Sequence, residues 1–213
     1  MKRTIAGIEI PDGPIAQAAT DRMRSTESVL MFHHALRAFL FGALAGQRQG
    51  MTLNTELLYV AAMFHNVGLN LMHRHSLLRF EIDSANAART FLRQYNVDES
   101  ASTEVWHAIA LHTSPGIPEH MPPLVALLSA GVQMDVRGAG YDEFTAAQRD
   151  EIVRAYPREP GFKNKIIDAY AMGMAHRPQT TFGTVNADIL DRCDPNFCRL
   201  NFCGLVLGSD WKN

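Results

Sequence analysis

The chain has 213 residues, 46% hydrophobic and 20% charged, which is the composition of an ordinary globular protein with a sizeable core. Twenty Lys and Arg against 22 Asp and Glu give a formal charge of −2, and this balance excludes a strongly basic nucleic-acid-binding protein. The three cysteines, Cys193, Cys198 and Cys203, are too few for a disulfide framework and favour a reducing, cytoplasmic setting.

Neither the N-terminal residues nor the apolar tracts of the chain indicate a membrane protein. The N-terminal residues lack the apolar centre of a signal peptide, because Glu9 and Asp12 interrupt them. The apolar tracts around residues 29–45 and 124–134 are interrupted by charged residues or are shorter than a span of about 20 residues. We therefore expect neither export nor a membrane-embedded segment.

Apolar residues recur at helical spacing along most of the chain, and capping and breaking residues divide the pattern into helices. The first helix is predicted at about residues 14–24. The second, residues 25–49, carries apolar residues on most of its faces and is predicted to lie in the core. The third, residues 56–67, is apolar until the polar pair His65 and Asn66 in its last turn.

Capping residues also place the later helices. Asp83 or Ser84 is predicted to begin one helix, Asp98 the next, and a capping box at Thr145 another. No apolar/polar alternation between hairpin turns and no internal repeat is present, so the sequence predicts an all-α fold with a single domain. The later predicted helices cover about residues 84–95, 99–114, 124–136, 146–157 and 161–177, followed by two short helices.

Several polar side chains interrupt apolar helices, where an unpaired polar group is costly to bury. These are His33 and His34 in the second helix, His65 and Asn66 in the third, and Asp135 near the end of the helix predicted at residues 124–136. Two arrangements avoid the cost: the groups hydrogen-bond to each other, or they converge on a cation. Imidazoles with oxygen donors suit zinc, iron or manganese. Helical periodicity does not say which of His33 and His34 points inwards, because apolar residues surround both.

Three segments resemble the HD-domain metal-dependent hydrolases. FHHALR at residues 32–37 looks like the family's first histidine, YVAAMFHNVGL at 59–69 like its HD doublet, and GVQMD at 131–135 like its final aspartate. Residues 79–89 and 108–113 are similar to the branch related to cyanamide hydratase. The resemblance implies an HD-type helical bundle.

The resemblance also implies a division of the chain and a metal site. The metal-binding core would span residues 25–138, after an N-terminal segment at 1–24 and before C-terminal helices at 139–213 that pack on it. The resemblance also selects His34 rather than His33 as the metal-binding histidine of the second helix. A divalent ion, zinc in first place with iron or manganese as alternatives, would be held by the four side chains His34, His65, Asn66 and Asp135.

Asn66 departs from the family pattern, which has aspartate at this position. An amide contributes no negative charge and accepts no proton, so we expect weaker metal binding and impaired activity. Natural divergence, lost activity and a deliberate substitution all remain open as explanations. In the intact site, the metal would lower the pKa of a bound water toward about 7 and so supply a nucleophile.

The resemblance implies a small-molecule substrate, and Leu69 narrows its class. Phosphohydrolases of this superfamily carry lysine at that place, so we expect a small nitrile-like or otherwise poorly charged substrate. A phosphohydrolase of nucleotides or phosphate esters, and a non-catalytic ligand-binding module, are the alternatives. No nucleic-acid or membrane partner is expected, and a homo-oligomer is possible.

Further polar residues are candidates for roles at the same site. Arg37 shares a helix face with His34 and would brace a ligand or form an ion pair between helices. His112 would extend the site or donate a proton, or else cap its own helix or interact with the helix dipole. Glu81 and Asp83 are candidates for the outer shell of the metal, although carboxylates are favoured near a helix N-terminus in any case. With Asn66, Arg37 and His112 form the predicted catalytic set.

Overall fold

The computed structural model describes residues 3–212; Met1, Lys2 and Asn213, which belong to the predicted terminal segments, lie outside the described residues. Side-chain caps begin several helices, as Ser28, Asn54 and Thr145 each accept a hydrogen bond from the backbone N–H three residues later. The helices are α1 (Pro14–Thr26), α2 (Val29–Arg48), α3 (Thr55–Phe64), α4 (Phe80–Gln94), α5 (Glu99–Leu111), α6 (Pro123–Arg137), α7 (Ala146–Ala155), α8 (Phe162–Met174), α9 (Asn186–Cys193) and α10 (Phe202–Leu207).

Helix α2 lies at the centre of the fold and packs chiefly against α6 and α3. Within residues 3–212 it is the one helix long and apolar enough to cross a membrane, and most of it is buried inside the protein, so it is a core helix. A side chain at Gly131 would place its Cβ 2.0 Å from the Ala38 carbonyl oxygen. Glycine therefore lets α6 approach α2 closely, which matters because both helices carry site residues.

The last large helices complete the bundle on one side. Helices α8 and α9 form a second apolar cluster with Phe80 at the start of α4. Tyr170 of α8 belongs to this cluster, with its ring centroid 5.7 Å from that of Phe80. The described chain is thus an all-α bundle with one very short sheet, as the sequence predicts.

Several local predictions were wrong, including the start of α2, which is Val29 rather than residue 25. The N-terminus forms a hairpin, β1 (Thr4–Ile5) with β2 (Ile8–Glu9), whose two-residue strands are too short to show an alternating pattern. Helix α4 begins at Phe80 rather than after Asp83 or Ser84, so both of these side chains lie inside the helix. Helix α3 ends at Phe64, and a separate 3-10 turn covers Val67–Leu69.

Candidate functional site

The His65-Asn66 pair lies where α3 gives way to the following turn. Close packing fixes this turn against α4: a Cβ at Gly68 would lie 2.1 Å from the Phe80 carbonyl oxygen, and the Gly68 N–H donates to Ser84 Oγ at 2.8 Å. A side chain larger than hydrogen at residue 68 would push the turn away from α4. The absence of a side chain at Gly68 therefore fixes the position of the buried pair His65 and Asn66 relative to α4.

Helices α2 and α6 bring His34 and Asp135 together. His34 is fully buried, whereas His33 is half-buried with its Nδ1 3.4 Å from the Pro157 carbonyl oxygen. The His34 Nδ1 donates to Asp135 Oδ2 at 2.7 Å. Of the two adjacent histidines, His34 is thus the one that faces the interior.

The imidazoles of His34 and His65 meet edge to edge. Their Nε2 atoms are 3.1 Å apart and their ring centroids 5.0 Å apart. The His65 Nδ1 donates to the Ala62 carbonyl oxygen at 2.7 Å, so the neutral ring presents only a lone pair at Nε2. Burial, with the nearby His112 and His34, lowers the pKa of His65 well below its usual value. A proton shared between the two nitrogens, or a cation, would satisfy both of them.

Asn66 lies beside this pair but presents its amide nitrogen to it. Its Nδ2 donates to His65 Nε2 at 2.8 Å, and its buried Oδ1 has no partner among the described residues. Tyr170 of α8 interacts with Asn66, and burial raises the pKa of its phenol, so the hydroxyl stays protonated. Tyr170 belongs to no motif, and sequence reasoning missed it.

Asp135 is enclosed by two arginines. Arg37 donates from Nε to Oδ1 at 2.7 Å and from Nη2 to Oδ2 at 3.0 Å, while Arg158 donates from Nη1 to Oδ1 at 2.9 Å. Burial alone would raise the pKa of the Asp135 carboxyl, but the hydrogen bonds and charges of His34 and Arg37 outweigh burial and hold the pKa below its usual range. The carboxylate is therefore ionised, and both of its oxygens are engaged.

Arg37 thus braces Asp135 and does not face open space. It is fully buried, and its Nη1 donates to the backbone carbonyls of Tyr156 and Pro157 at 3.1 Å each. This is the ion pair between helices that the sequence left as one of two possibilities. Arg158 was missed, because nothing in its local sequence marks it as a partner of α6.

His112 packs against the ring of His65. It follows the last residue of α5, and its Nδ1 donates to the Ile109 carbonyl oxygen at 2.6 Å. Its ring is perpendicular to that of His65 with centroids 5.0 Å apart, and its buried Nε2 has no hydrogen-bond partner among the described residues. Burial lowers the pKa of His112, so at neutral pH Nε2 is an acceptor.

The two carboxylates of α4 differ in their surroundings. Glu81 is buried and its Oε1 accepts hydrogen bonds from Thr113 Oγ1 and, at 2.7 Å, from Asn186 Nδ2. Asp83 instead pairs with Arg177, which pins the segment between α3 and α4 to the end of α8. The charge of Glu81 acts to raise the pKa of His112, but burial has the larger effect and lowers it.

The cluster fits a divalent cation only in part. The facing lone pairs of His34 and His65 suit a metal, because both rings have their other nitrogen fixed on an oxygen. Asp135, with every oxygen engaged, and Asn66, with its NH2 group turned inwards, do not present free donors. Across residues 3–212 no group of three or more His, Cys, Asp or Glu side chains is arranged to hold a metal. The imidazole pair therefore fits, and the oxygen donors would have to turn.

A cleft of about 320 Å³ opens on this cluster from the side of α8 and α9. His112 and Tyr170 line it, as do Thr113 and Asn186, the two partners of Glu81. Much of its other lining is apolar and comes from α6, α8 and α9, namely Val132, Val136, Ile166, Ile167 and Ile189. Gln133, Arg137 and Asp188 are the other polar residues that line it. The cleft reaches His112, whose ring packs against that of His65, but none of the four side chains His34, His65, Asn66 and Asp135 lines it.

Comparison with known proteins supports the resemblance at the level of the family. A search of curated proteins found no match. The family model described as HD domain matches residues 31–171, about two-thirds of the chain, including all four residues named above as metal ligands. The chain therefore belongs to the HD domain family.

Proposed function

We propose that this protein is a metal-dependent hydrolase or hydratase that acts on a small, poorly charged molecule with an electrophilic, nitrile-like carbon. The observation that carries the proposal is the pair of buried Nε2 atoms of His34 and His65, which face each other at 3.1 Å beside a largely apolar cleft. Membership of the HD domain family supports the metal-dependent part of the proposal.

A divalent ion would be held by His34, His65, Asn66 and Asp135, with zinc in first place and iron or manganese as alternatives. When bound, it would supply a hydroxide nucleophile from water at neutral pH and polarise the substrate. For Asp135 to take part, it would give up the hydrogen bond from Arg158, the more exposed of its two arginine partners.

The protein's own side chains would position the substrate and the attacking water. Asn66 orients a neighbouring molecule by hydrogen bonding but takes up no proton, which is why we expect this form to be impaired. His112, with a free lone pair at Nε2, accepts a hydrogen bond or a proton from the substrate side. Arg37 acts through Asp135 and is a positioning residue in this scheme.

The cleft favours a poorly charged substrate over a phosphate ester. Among the described residues that line it, Arg137 is the only Lys or Arg, and its side chain is exposed at the end of α6. Leu69, at the place of the phosphohydrolases' lysine, packs against Gly173 of α8. Phosphate recognition relies on several cationic or N–H donors, so the nitrile-like class is the better fit.

Metal binding tests the site. Protein purified without metal, as found and as Asn66→Asp, is to be titrated with Zn²⁺, Fe²⁺ and Mn²⁺ and its bound metal measured by elemental analysis. We expect the Asp form to bind at least about tenfold more tightly, because it adds a negative charge. Asn164→Asp, which adds the same charge at an exposed position of α8, is the control and should change nothing. Absence of stoichiometric metal in both forms would show that the site is misread.

Turnover tests the substrate class. The metal-loaded Asn66→Asp form is to be screened against nitriles and cyanamides on one panel, and nucleotides and phosphate esters on another. Hydration of a nitrile-like compound supports the proposal, and phosphate release would replace it with the phosphohydrolase alternative. Inactivity on both panels, together with tight binding of a small molecule, would indicate a non-catalytic module.

A further inference from the structure

The C-terminal arm, residues 198–212, contains α10 and buries none of its side chains. Six of its exposed residues are large and apolar, namely Leu200, Phe202, Leu205, Val206, Leu207 and Trp211. Isolated helices shorter than about 12–15 residues are marginal in water, because most helices gain their stability from packing. The six-residue α10 therefore needs a packing partner that residues 3–212 of one chain do not supply.

A groove of about 800 Å³ lies beside the arm. Its apolar lining includes Pro115, Phe182, Val185 and Phe197, and the first residues of the arm, Leu200 and Phe202, form part of its wall. Among its charged lining residues, Asp188 and Arg199 pair with each other at 2.7 Å. Pockets of about 300–1,000 Å³ hold a drug-sized ligand, so the groove has room for several apolar side chains.

The charges of the arm favour a protein partner over a membrane. Residues 200–209 carry no charge, Arg199 is paired with Asp188, and Asp210 and Lys212 have opposite charges. Binding to anionic lipid uses clusters of Lys and Arg beside the apolar residues, and the arm has no such cluster. An apolar groove of low net charge fits the arm better, and every copy of the chain carries one.

The apolar surface of the arm is large enough for a stable dimer. Its six large side chains are each about half exposed or more, so at roughly 200 Å² for a fully exposed residue they offer on the order of 800 Å². One partner of a standard interface buries about 800 Å². An arm and a groove on the same chain also make the contact self-complementary, since each copy gives one arm and receives another.

We propose that the protein forms a homodimer in which the arm of each copy binds in the groove of the other. The groove adjoins the cleft of the candidate site, because Pro115, Val185 and Asp188 line both. The partner's arm therefore lies next to that cleft. The dimer requires neither a metal nor turnover, so it can be tested separately from the proposed function.

Sedimentation equilibrium of the full chain over a concentration series tests the dimer. We expect twice the mass of one chain at micromolar concentration. Leu207→Asp places an unpaired charge in the contact, and because Leu207 is exposed in the single chain the fold should be kept. We expect the dissociation constant of the dimer to rise at least about tenfold. Tyr141→Asp, at an exposed aromatic residue that does not line the groove, is the control and should change nothing.

A second variant tests the groove. Val185→Lys places a charge in the lining, and we expect it to weaken the dimer as Leu207→Asp does. A mixture of the two variants forms a heterodimer with one intact contact and one that sets Asp against Lys, so we expect dimer to reappear at a concentration at which each variant alone is monomeric. A monomeric unchanged protein, an unchanged dimer in Leu207→Asp, or a mixture that stays monomeric would overturn the proposal.

Discussion

Asp135 and Glu81 are both buried carboxylates, yet the protein surrounds them in opposite ways. Asp135 is held by two guanidinium groups and an imidazole, whereas Glu81 is held by a hydroxyl and an amide. Within residues 3–212 Glu81 has no ion pair, and its Oε2 has no hydrogen-bond partner. Asp135, whose charge is paired with two arginines and His34, holds α2 and α6 together. Glu81 instead leaves polar groups available at the cleft.

The largest expected effect comes from neutralising the paired carboxylate. Asp135→Asn leaves Arg37 buried without its counter-charge, and we expect a loss of about 3–5 kcal/mol in the free energy of unfolding, measured with urea. Glu143→Gln, which breaks the exposed pair with Arg48, is the control and should cost no more than about 1 kcal/mol. Equal losses would show that the buried pair has no special weight.

The two imidazoles between the carboxylates should give the next effect, in metal-free protein. An unfolded histidine takes up a proton below about pH 6.5, whereas burial lowers the pKa of His65 and His112 in the fold. Stability is therefore fully present above pH 6.5 and falls as the pH drops below it, by up to about 1.4 kcal/mol per pH unit for each histidine. His112→Gln should reduce that slope by the share of one histidine, up to about 1.4 kcal/mol per pH unit. A slope identical to that of the unchanged protein would contradict the prediction.

Crowding the contact between α2 and α6 should lower the free energy of unfolding by less than Asp135→Asn does. Gly131→Ala forces the new Cβ against the Ala38 carbonyl oxygen, and we expect a cost of about 2–3 kcal/mol in thermal or urea unfolding, as for overpacking in general. Gly204→Ala on the exposed α10, where the nearest atom is 3.9 Å away, is the matched control. If both glycine variants unfold alike, the close approach does not limit stability.

Neutralising Glu81 should have the smallest effect on stability. Glu81→Gln keeps an oxygen that accepts from Thr113 and Asn186 and removes a charge that has no ion-pair partner in the described part of the chain, so we expect a change of no more than about 1 kcal/mol. The comparison with Asp135→Asn under the same conditions is the measurement. A loss as large as that of Asp135→Asn would erase the difference between the two carboxylates.

Much of the fold was predictable because its signals are local. Capping side chains such as Ser28, Asn54 and Thr145 act within one turn, and helical periodicity identified α2 as the core helix. The start of α4 was misplaced because acidic residues mark both caps and first turns, and here Asp83 lies in the first turn. The hairpin at Thr4–Glu9 is too short for any periodic signal.

The candidate site was predictable only in part. The order of His34, His65, Asn66 and Asp135 could be read from motif-like segments, and the chain's membership of the HD domain family is consistent with that order. Periodicity alone left His33 and His34 equivalent, and the burial of His34 is a property of the packed bundle. Their roles as ligands stay a prediction.

The sequence by itself determined an all-α chain with polar groups set into apolar helices, because helix formation depends on neighbours within a few residues. Only the tertiary structure decided that Arg158 encloses Asp135, that Tyr170 reaches Asn66, and that Glu81 orients Asn186 from 105 residues away. Such partners come from helices beyond the motifs and are selected by packing. Whether a buried carboxylate is paired or left with a free oxygen is therefore decided by the assembled fold.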